Sequence, residues 1–323
     1  AAAVEMQKNA DGSAMKPREE GEKWNKRRKD EKKDDCDWED RVSFNGDFRF
    51  RNQWTKTEGS GYTNIEKLRL RLGSEIKINR RVSLDFGLAS GAGDPRSNNQ
   101  DVQKTFMPPG IVINYAYAEY MAARWATADI GQFNNPVWGP CDLLWDPDIK
   151  PAGAAARMKW KCPSGAETFA NVGLFVLDNT GSGKPGPMML AVQPGSSCRI
   201  SQRYELKAAA VWYKFNSIQG STLPYTAGTN TTYLAVTPSS LSYSLTYNYD
   251  SIGGDFEFSV LGFCVPKISV FGQYLYNYGS AKDTAFLAGL GFGGDKIERL
   301  GQWQVKYSFR MLERDSWLDT FPD

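Results

Sequence analysis

The sequence predicts an all-β fold, an antiparallel sheet closed as a transmembrane β-barrel. Three observations carry this. From Val42 onward, segments with a two-residue period recur, each with one oily face and one charged face. Short turns alternate with long polar loops, the rhythm of a barrel whose strands join briefly on one side of a membrane and at length on the other. Trp and Tyr stand near the ends of the oily faces, as in the aromatic girdles of the two membrane–water interfaces.

The strands follow in order. In "RVSFNGDFRFRNQWTK", Val42, Phe44, Phe48, Phe50 and Trp54 share one face and Asp47, Arg49 and Arg51 the other. In "EKLRLRLGSEIKIN", Leu68, Leu70, Leu72, Ile76 and Ile78 oppose Lys67, Arg69, Arg71, Glu75 and Lys77. "VSLDFGLAS" places Asp85 on the polar face, and "AARMKWK" sets Met158 and Trp160 against Arg157, Lys159 and Lys161. "ELKAAAVW" sets Leu206 and Trp212 against Glu205 and Lys207, and "DFEFSV" sets Phe256, Phe258 and Val260 against Asp255 and Glu257. "KISVFGQYLYN" sets Ile268, Val270, Tyr274 and Tyr276 against Lys267 and Gln273. "GQWQVKYSFRM" sets Trp303, Val305, Tyr307, Phe309 and Met311 against Lys306 and Arg310. About thirteen such strands are legible, and 9 to 11 tilted residues suffice to cross a bilayer. The expected short turns are "NRR", "AARW", "CPSG", "CVPK" and "GGDKIER"; residues 91–110, 134–152, 179–187 and 217–252 are the expected long loops.

Composition narrows the alternatives. The longest apolar runs, such as "GLFVL", are far short of the about 20 residues a membrane helix needs. Aromatic residues make up 13% and glycine is plentiful at 31, a mix that suits strands and turns. A net charge of +2 gives no footing for bulk nucleic-acid binding. Histidine is absent, which removes Ser-His-Asp and Cys-His catalysis and every His-ligated metal or haem. No metal and no cofactor is expected. The five cysteines show no CxxC spacing. A disulfide between Cys162 and Cys198, on neighbouring hairpins, is left open.

Residues 1–40 stand apart. "KPREEGEKWNKRRKDEKKDDCDWED" is nearly all charge of mixed sign. It reads as a solvated periplasmic linker, with contact to the cell wall or a partner as the sharper alternative. The barrel is expected over residues 41–323. No basic-then-apolar leader opens the chain, so a mature or trimmed form is expected.

Several motifs fail on their context. "GLGFGG", Gly289 to Gly294, fits G-x-G-x-x-G, but a strand follows where a helix is needed, so glycines that let a strand bend are expected. "GSGKPG" misplaces the first Gly and the Ser/Thr of a phosphate loop, and Pro185 blocks a helix start. "NTT" at 230–232 matches a glycosylation site yet reads as a loop. Asp146 and Asp148 have no clear acidic partners for catalysis or calcium.

"VSFNGDFRFRNQW" resembles the first strand of a family of porins from bacterial outer membranes. "IGQFNNPVWGPCDLLWDPDIKPAGAA" resembles that family's most specific segment, with Asn135–Pro136, Trp138, Asp146, Asp148, Pro151 and Gly153 in register. "VKYSFRMLERDSWLDTF" resembles its late strand and the loop after it. The resemblance covers about residue 41 to the end. It implies a sixteen-stranded general-porin-like barrel. An even strand count would therefore require about three more strands, from further sequence or a second chain. It shows no shared catalytic set, and no enzyme is expected.

The expected function is a water-filled outer-membrane channel for passive diffusion of small hydrophilic solutes, favouring anions. The basic pore wall is Arg49, Arg51, Lys67, Arg69, Arg71, Lys77, Arg157, Lys159, Lys161, Lys207, Lys267, Lys306 and Arg310. The acids on it are Asp47, Glu75, Asp85, Glu205, Asp255 and Glu257. Trp138, Asp142, Trp145, Asp146 and Asp148 are expected on a loop that folds inward as a constriction, because Leu143–Leu144 and the two Trp are too apolar for water. Phe48, Phe50, Trp54, Trp160, Trp212, Trp303 and Tyr307 are expected to face lipid. The expected partners are outer-membrane lipid and lipopolysaccharide, and the expected assembly is a homotrimer. Two alternatives remain: a structural barrel tethered through residues 1–40, and a conduit for a dedicated substrate or partner protein.

Overall fold

The computed structural model describes residues 41–322 apart from 57–58, 60, 92, 103–107, 109, 164, 180–184, 238–239, 264, 295–296 and 298. The charged linker read at 1–40 lies outside the described residues, as does most of "GSGKPG". The chain divides into two units, Ala1–Ser43 and Phe44–Asp323, and the sheet lies almost wholly in the second.

The strands are β1 Val42–Lys56, β2 Tyr62–Lys77, β3 Val82–Ser90, β4 Gln100–Asp101, β5 Ile111–Ala123, β6 Ala126–Gln132, β7 Ala152–Lys161 and β8 Glu167–Val176. They continue as β9 Met188–Arg199, β10 Tyr204–Asn216, β11 Thr232–Thr237, β12 Ser240–Leu245, β13 Ser251–Phe263, β14 Val265–Asn277, β15 Thr284–Gly293 and β16 Gln304–Leu312. They form an antiparallel meander in the order β1-β2-β3-β5-β6-β7-β8-β9-β10-β13-β14-β15-β16, with β4 beside β2. The connections β2–β3, β5–β6, β7–β8, β9–β10, β13–β14 and β15–β16 lie at one end of the strands, and the longest loops, after β3, β6 and β10, lie at the other.

The sheet is rolled with its polar face inward. Asp148 approaches Arg71 on β2 at 3.4 Å, while Lys150, two residues on, borders the same cavity as Lys306 and Ser308 on β16. A flat sheet would set β2 and β16 eleven strand spacings apart, about 53 Å at about 4.8 Å each. The outward face is oily: Phe48, Phe50, Trp54, Tyr307 and Phe309 are well exposed, as are Trp160, Trp212 and Trp303. Aromatics cluster at both strand ends. Trp125 stacks on Trp160 at 5.5 Å by the short turns, and Trp212 Nε1 donates to Tyr278 Oη at 3.3 Å by the loops.

Two expectations need correction. Residues 217–252 are not simply a loop, because β11 and β12 pair there as a separate hairpin. Their alternation, "TYLAVT" and "SLSYSL", is readable in the sequence. The inward face is not polar throughout: toward the loop end it carries Met189, Tyr213, Phe215, Leu275 and Leu287, all buried in one cluster with Leu143, Leu144 and Trp317. Asn230 is no glycosylation site, since its buried amide donates to the carbonyls of Arg314 and Trp317 at 2.7 and 2.9 Å.

The glycines of "GLGFGG" have a further purpose. A Cβ on Gly289 would stand 2.4 Å from Phe271 Cζ, so the absent side chain is what lets that ring lie on the wall. Gly289→Val should destabilise the barrel by about 1–3 kcal/mol, seen as a lower midpoint in urea unfolding.

Cys162 and Cys198 are free thiols. Cys162 follows β7 and Cys198 lies on β9, with β8 between them. Two spacings of about 4.8 Å exceed the about 7 Å Cα limit for a disulfide. Unreduced, unfolded protein should take up alkylating label at both positions.

Candidate functional site

Residues 133–151, between β6 and β7, fold across the inward face. Two glutamines on the wall hold the near limb. Trp138 N donates to Gln193 Oε1 at 2.8 Å, and Gln193 Nε2 donates back to Trp138 O at 2.6 Å. Cys141 Sγ contacts Gln273 Oε1 at 3.6 Å. Asp255 orients both amides, accepting from Gln193 at 3.2 Å and Gln273 at 2.6 Å. Asp255, expected on the open wall, is therefore buried beneath the loop. Burial pushes the Cys141 thiol up to about 11, which leaves it a poor nucleophile at neutral pH.

The middle of the loop is held by aromatic packing. Trp145 stacks on Phe321 at 4.6 Å and meets Trp317 and Phe175 edge-on at 5.8 and 6.2 Å. Its Nε1 donates to Tyr213 Oη at 3.2 Å. Phe321 and Trp317 belong to the segment after β16, which also turns inward. Trp317 Nε1 donates to Leu144 O at 2.7 Å, and Asp146 N donates to Phe321 O at 2.9 Å. Asp315 and Asp319 fasten this second segment by accepting from Thr231 and from Thr226, Thr229 and Asn230. Two inward segments thus share one apolar core.

The far limb meets the arginines. Asp47 accepts from Arg69 at 2.9 Å and Arg71 at 2.6 Å, and Asp148 lies 3.9 and 3.4 Å from the same two guanidiniums. Asp148 therefore touches the ladder directly rather than facing it across water. Asp146 turns away, its carboxylate accepting from Asp148 N at 2.7 Å, and Asp142 is exposed. Arg49 donates to Asn99 Oδ1 at 2.7 Å, and the Nε atoms of Arg49 and Arg69 are buried without a partner among the described residues.

Elsewhere Lys67 pairs with Asp101, Arg157 with Glu119 and Asp129, Lys159 with Glu167, and Lys267 with Glu257. The strand alternation read from the sequence does not reveal Glu119 and Asp129. They lie directly opposite one another on β5 and β6, where like charges repel, and Arg157 bridges them. Gln193, Gln273 and Trp317 escape a sequence reading as well, since nothing in their local patterns marks a loop anchor. Glu205 pairs with Arg199, and Asp85 accepts from Ser83 Oγ at 3.1 Å. Arg51, Lys77, Lys161, Lys207, Lys306 and Arg310 form no ion pair with a carboxylate among the described residues. Glu75 is half-buried on β2. Among the described residues no group of three or more Cys, Asp or Glu is placed to hold a metal.

Cavities surround the loop. One of about 680 Å³ lies against β14 and β16, one of about 480 Å³ against β7 to β10, and one of about 410 Å³ by β2, β3 and β5. Such a rolled sheet, oily outside and charged within, defines a β-barrel channel of the bacterial outer membrane. The family described as "Putative porin" matches residues 60–246 and 260–323, and the chain belongs to it. No curated protein is similar in sequence. Similar solved structures include Salmonella typhi OmpF in complex with daunomycin, at 11% identity over 87% of this chain and 93% of that one, with a TM-score of 0.48. A mutant of Rh. blastica porin matches at 11% identity over 85% and 96%, with a TM-score of 0.38. The outer membrane channel DcaP of Acinetobacter baumannii matches at 11% identity over 84% and 91%, with a TM-score of 0.37.

Trp145→Ala removes the centre of the aromatic cluster and should cost about 3–5 kcal/mol. The check is the denaturant midpoint of the folded barrel against that of the parent protein.

Proposed function

We propose that the chain is a passive pore for small hydrophilic solutes and that it favours anions. The observation that carries this is the charge inventory of the inward face. The acids of the wall are engaged: Asp47 with two arginines, Glu257 with Lys267, Asp255 with two amides. Cations are left over, and two of them, Lys207 and Lys306, border the cavities beside the loop. A surplus of one sign in a narrow, low-dielectric passage concentrates the opposite ion.

The site roles expected from the sequence belong to this proposal: the basic and acidic wall, the constriction by the loop that carries Trp138, Asp142, Trp145, Asp146 and Asp148, and the oily aromatics against lipid. Assembly as a homotrimer, contact with lipopolysaccharide, and a periplasmic or cell-wall contact through a separate segment at 1–40 belong to it as well.

Reconstituted in planar bilayers, the protein should conduct, with a reversal potential in a salt gradient that marks anions as the faster ions. The preference should shrink at high salt, since the Debye length falls from about 10 Å at 0.1 M to about 3 Å at 1 M. A cation-selective pore would sink the anion reading, and no conductance would sink the pore.

A further inference from the structure

We infer that Lys207 and Lys306 are two binding stations for small carboxylate anions, one on each side of Trp138, and that they carry the selectivity of the pore; this rests on the channel reading above. The two positions share one construction. Lys207 lies directly opposite Ser197 on β9, and its ammonium stands 4.1 Å from the Trp138 ring centroid and 5.3 Å from that of Phe169. Lys306 has Ser308 two residues along the same strand face, and its ammonium stands 5.8 Å from the Phe271 ring centroid. Both phenylalanines lie over glycines. A Cβ on Gly195 would come within 2.3 Å of Phe169 Cζ, and one on Gly289 within 2.4 Å of Phe271 Cζ. The rings are thus fixed floors.

Neither lysine has a carboxylate to itself. The acid opposite Lys207 is Glu257, which accepts from Lys267 Nζ at 2.8 Å; Glu167, in the same cavity, lies 3.7 Å from Lys159. The residue opposite Lys306 is Gly291, which has no side chain. An aromatic face attracts an ammonium through its quadrupole but carries no net charge, so the ring does not cancel the lysine's charge; Asp142 and Asp146 share the cavity of Lys306, yet among the described residues neither lysine forms an ion pair. The hydroxyls of Ser197 and Ser308 make no hydrogen bond among the described residues. Each station therefore offers a charged donor, a hydroxyl and an apolar ring, which suit the two oxygens and the carbon body of an organic acid.

The arginine ladder is less suited to the task, though it is the more conspicuous feature of the sequence. Arg69 and Arg71 share Asp47 and Asp148, and the unpartnered Nε atoms of Arg49 and Arg69 are buried. Arg71 borders the cavity by β2, β3 and β5, where Asp47 and Asp148 hold it, and neither Arg49 nor Arg69 borders a cavity beside the loop. Lys207 borders one cavity and Lys306 another, and Trp138 is a wall common to both.

The test uses the full chain in planar bilayers. Reversal potentials are read in a potassium chloride gradient, and chloride current is then titrated with benzoate. The unmodified pore should prefer anions and lose chloride current as benzoate occupies the stations. Lys207→Gln with Lys306→Gln should move the reversal potential to zero or to the cation side and abolish the benzoate effect. Lys207→Arg with Lys306→Arg should restore both. A heat-dependent shift in electrophoretic mobility identifies variants that have folded. If the folded double glutamine variant keeps its anion preference and its benzoate block, the stations are wrong while the pore stands. If the unmodified protein does not conduct, the channel reading fails and the stations fail with it.

Discussion

Lipid offers no hydrogen bonds, and the rest of the structure depends on that. Each unpaired backbone group in the hydrocarbon layer costs several kcal/mol, so strands survive there only when paired to their neighbours. The meander meets this by pairing sequence neighbours along its path from β2 to β16. Rolling then separates two environments along every strand with a period of two. The outward residues have only to be oily, which is why Phe48, Phe50, Tyr307 and Phe309 stand exposed without a partner. The inward residues face the harder problem of filling a space that is partly water.

That space is filled in two ways, and magnitudes separate them. Asp148 and Arg69 are largely withdrawn from water, and the cost of that desolvation offsets most of what their attraction gains. The cluster of Trp145, Trp317, Phe321, Tyr213 and Phe175 buries several large rings, each worth about 1.5–3 kcal/mol or more. The aromatic cluster therefore holds the loop in place, and the ion pairs and the glutamine contacts set its register. Gln193 suits this role because one side chain satisfies both the donor and the acceptor of Trp138.

The legible part of this protein is the part written at short range. Alternation along "EKLRLRLGSEIKIN" or "GQWQVKYSFRM" marks a strand and both its faces, because each face needs only neighbours two residues away. The oily loop residues Leu143–Leu144 and Trp145 likewise point to an inward fold. Partners far apart in the chain are not legible. Nothing near Asp148 shows that it meets Arg71, 77 residues away, and nothing near Trp317 shows that it donates to Leu144. The inward apolar zone is hidden for a related reason. In "ELKAAAVWYKFN" the oily outward face hides Val211, Tyr213 and Phe215 on the other face, so the alternation fades where both sides of the sheet are dry.

Distance from a partner also decides what a charge can still do. On the arginine ladder, carboxylates from β1 and from the loop stand close enough to absorb most of the field, leaving a scaffold. Beside Trp138 the nearest acid is already engaged by Lys267, and at Lys306 the opposing position is glycine. The count of cations in the sequence thus overstates what a solute meets. What reaches the passage is the charge that folding leaves unanswered. That charge lies where the polar zone of the strands adjoins the inward loop, and a low dielectric there strengthens it.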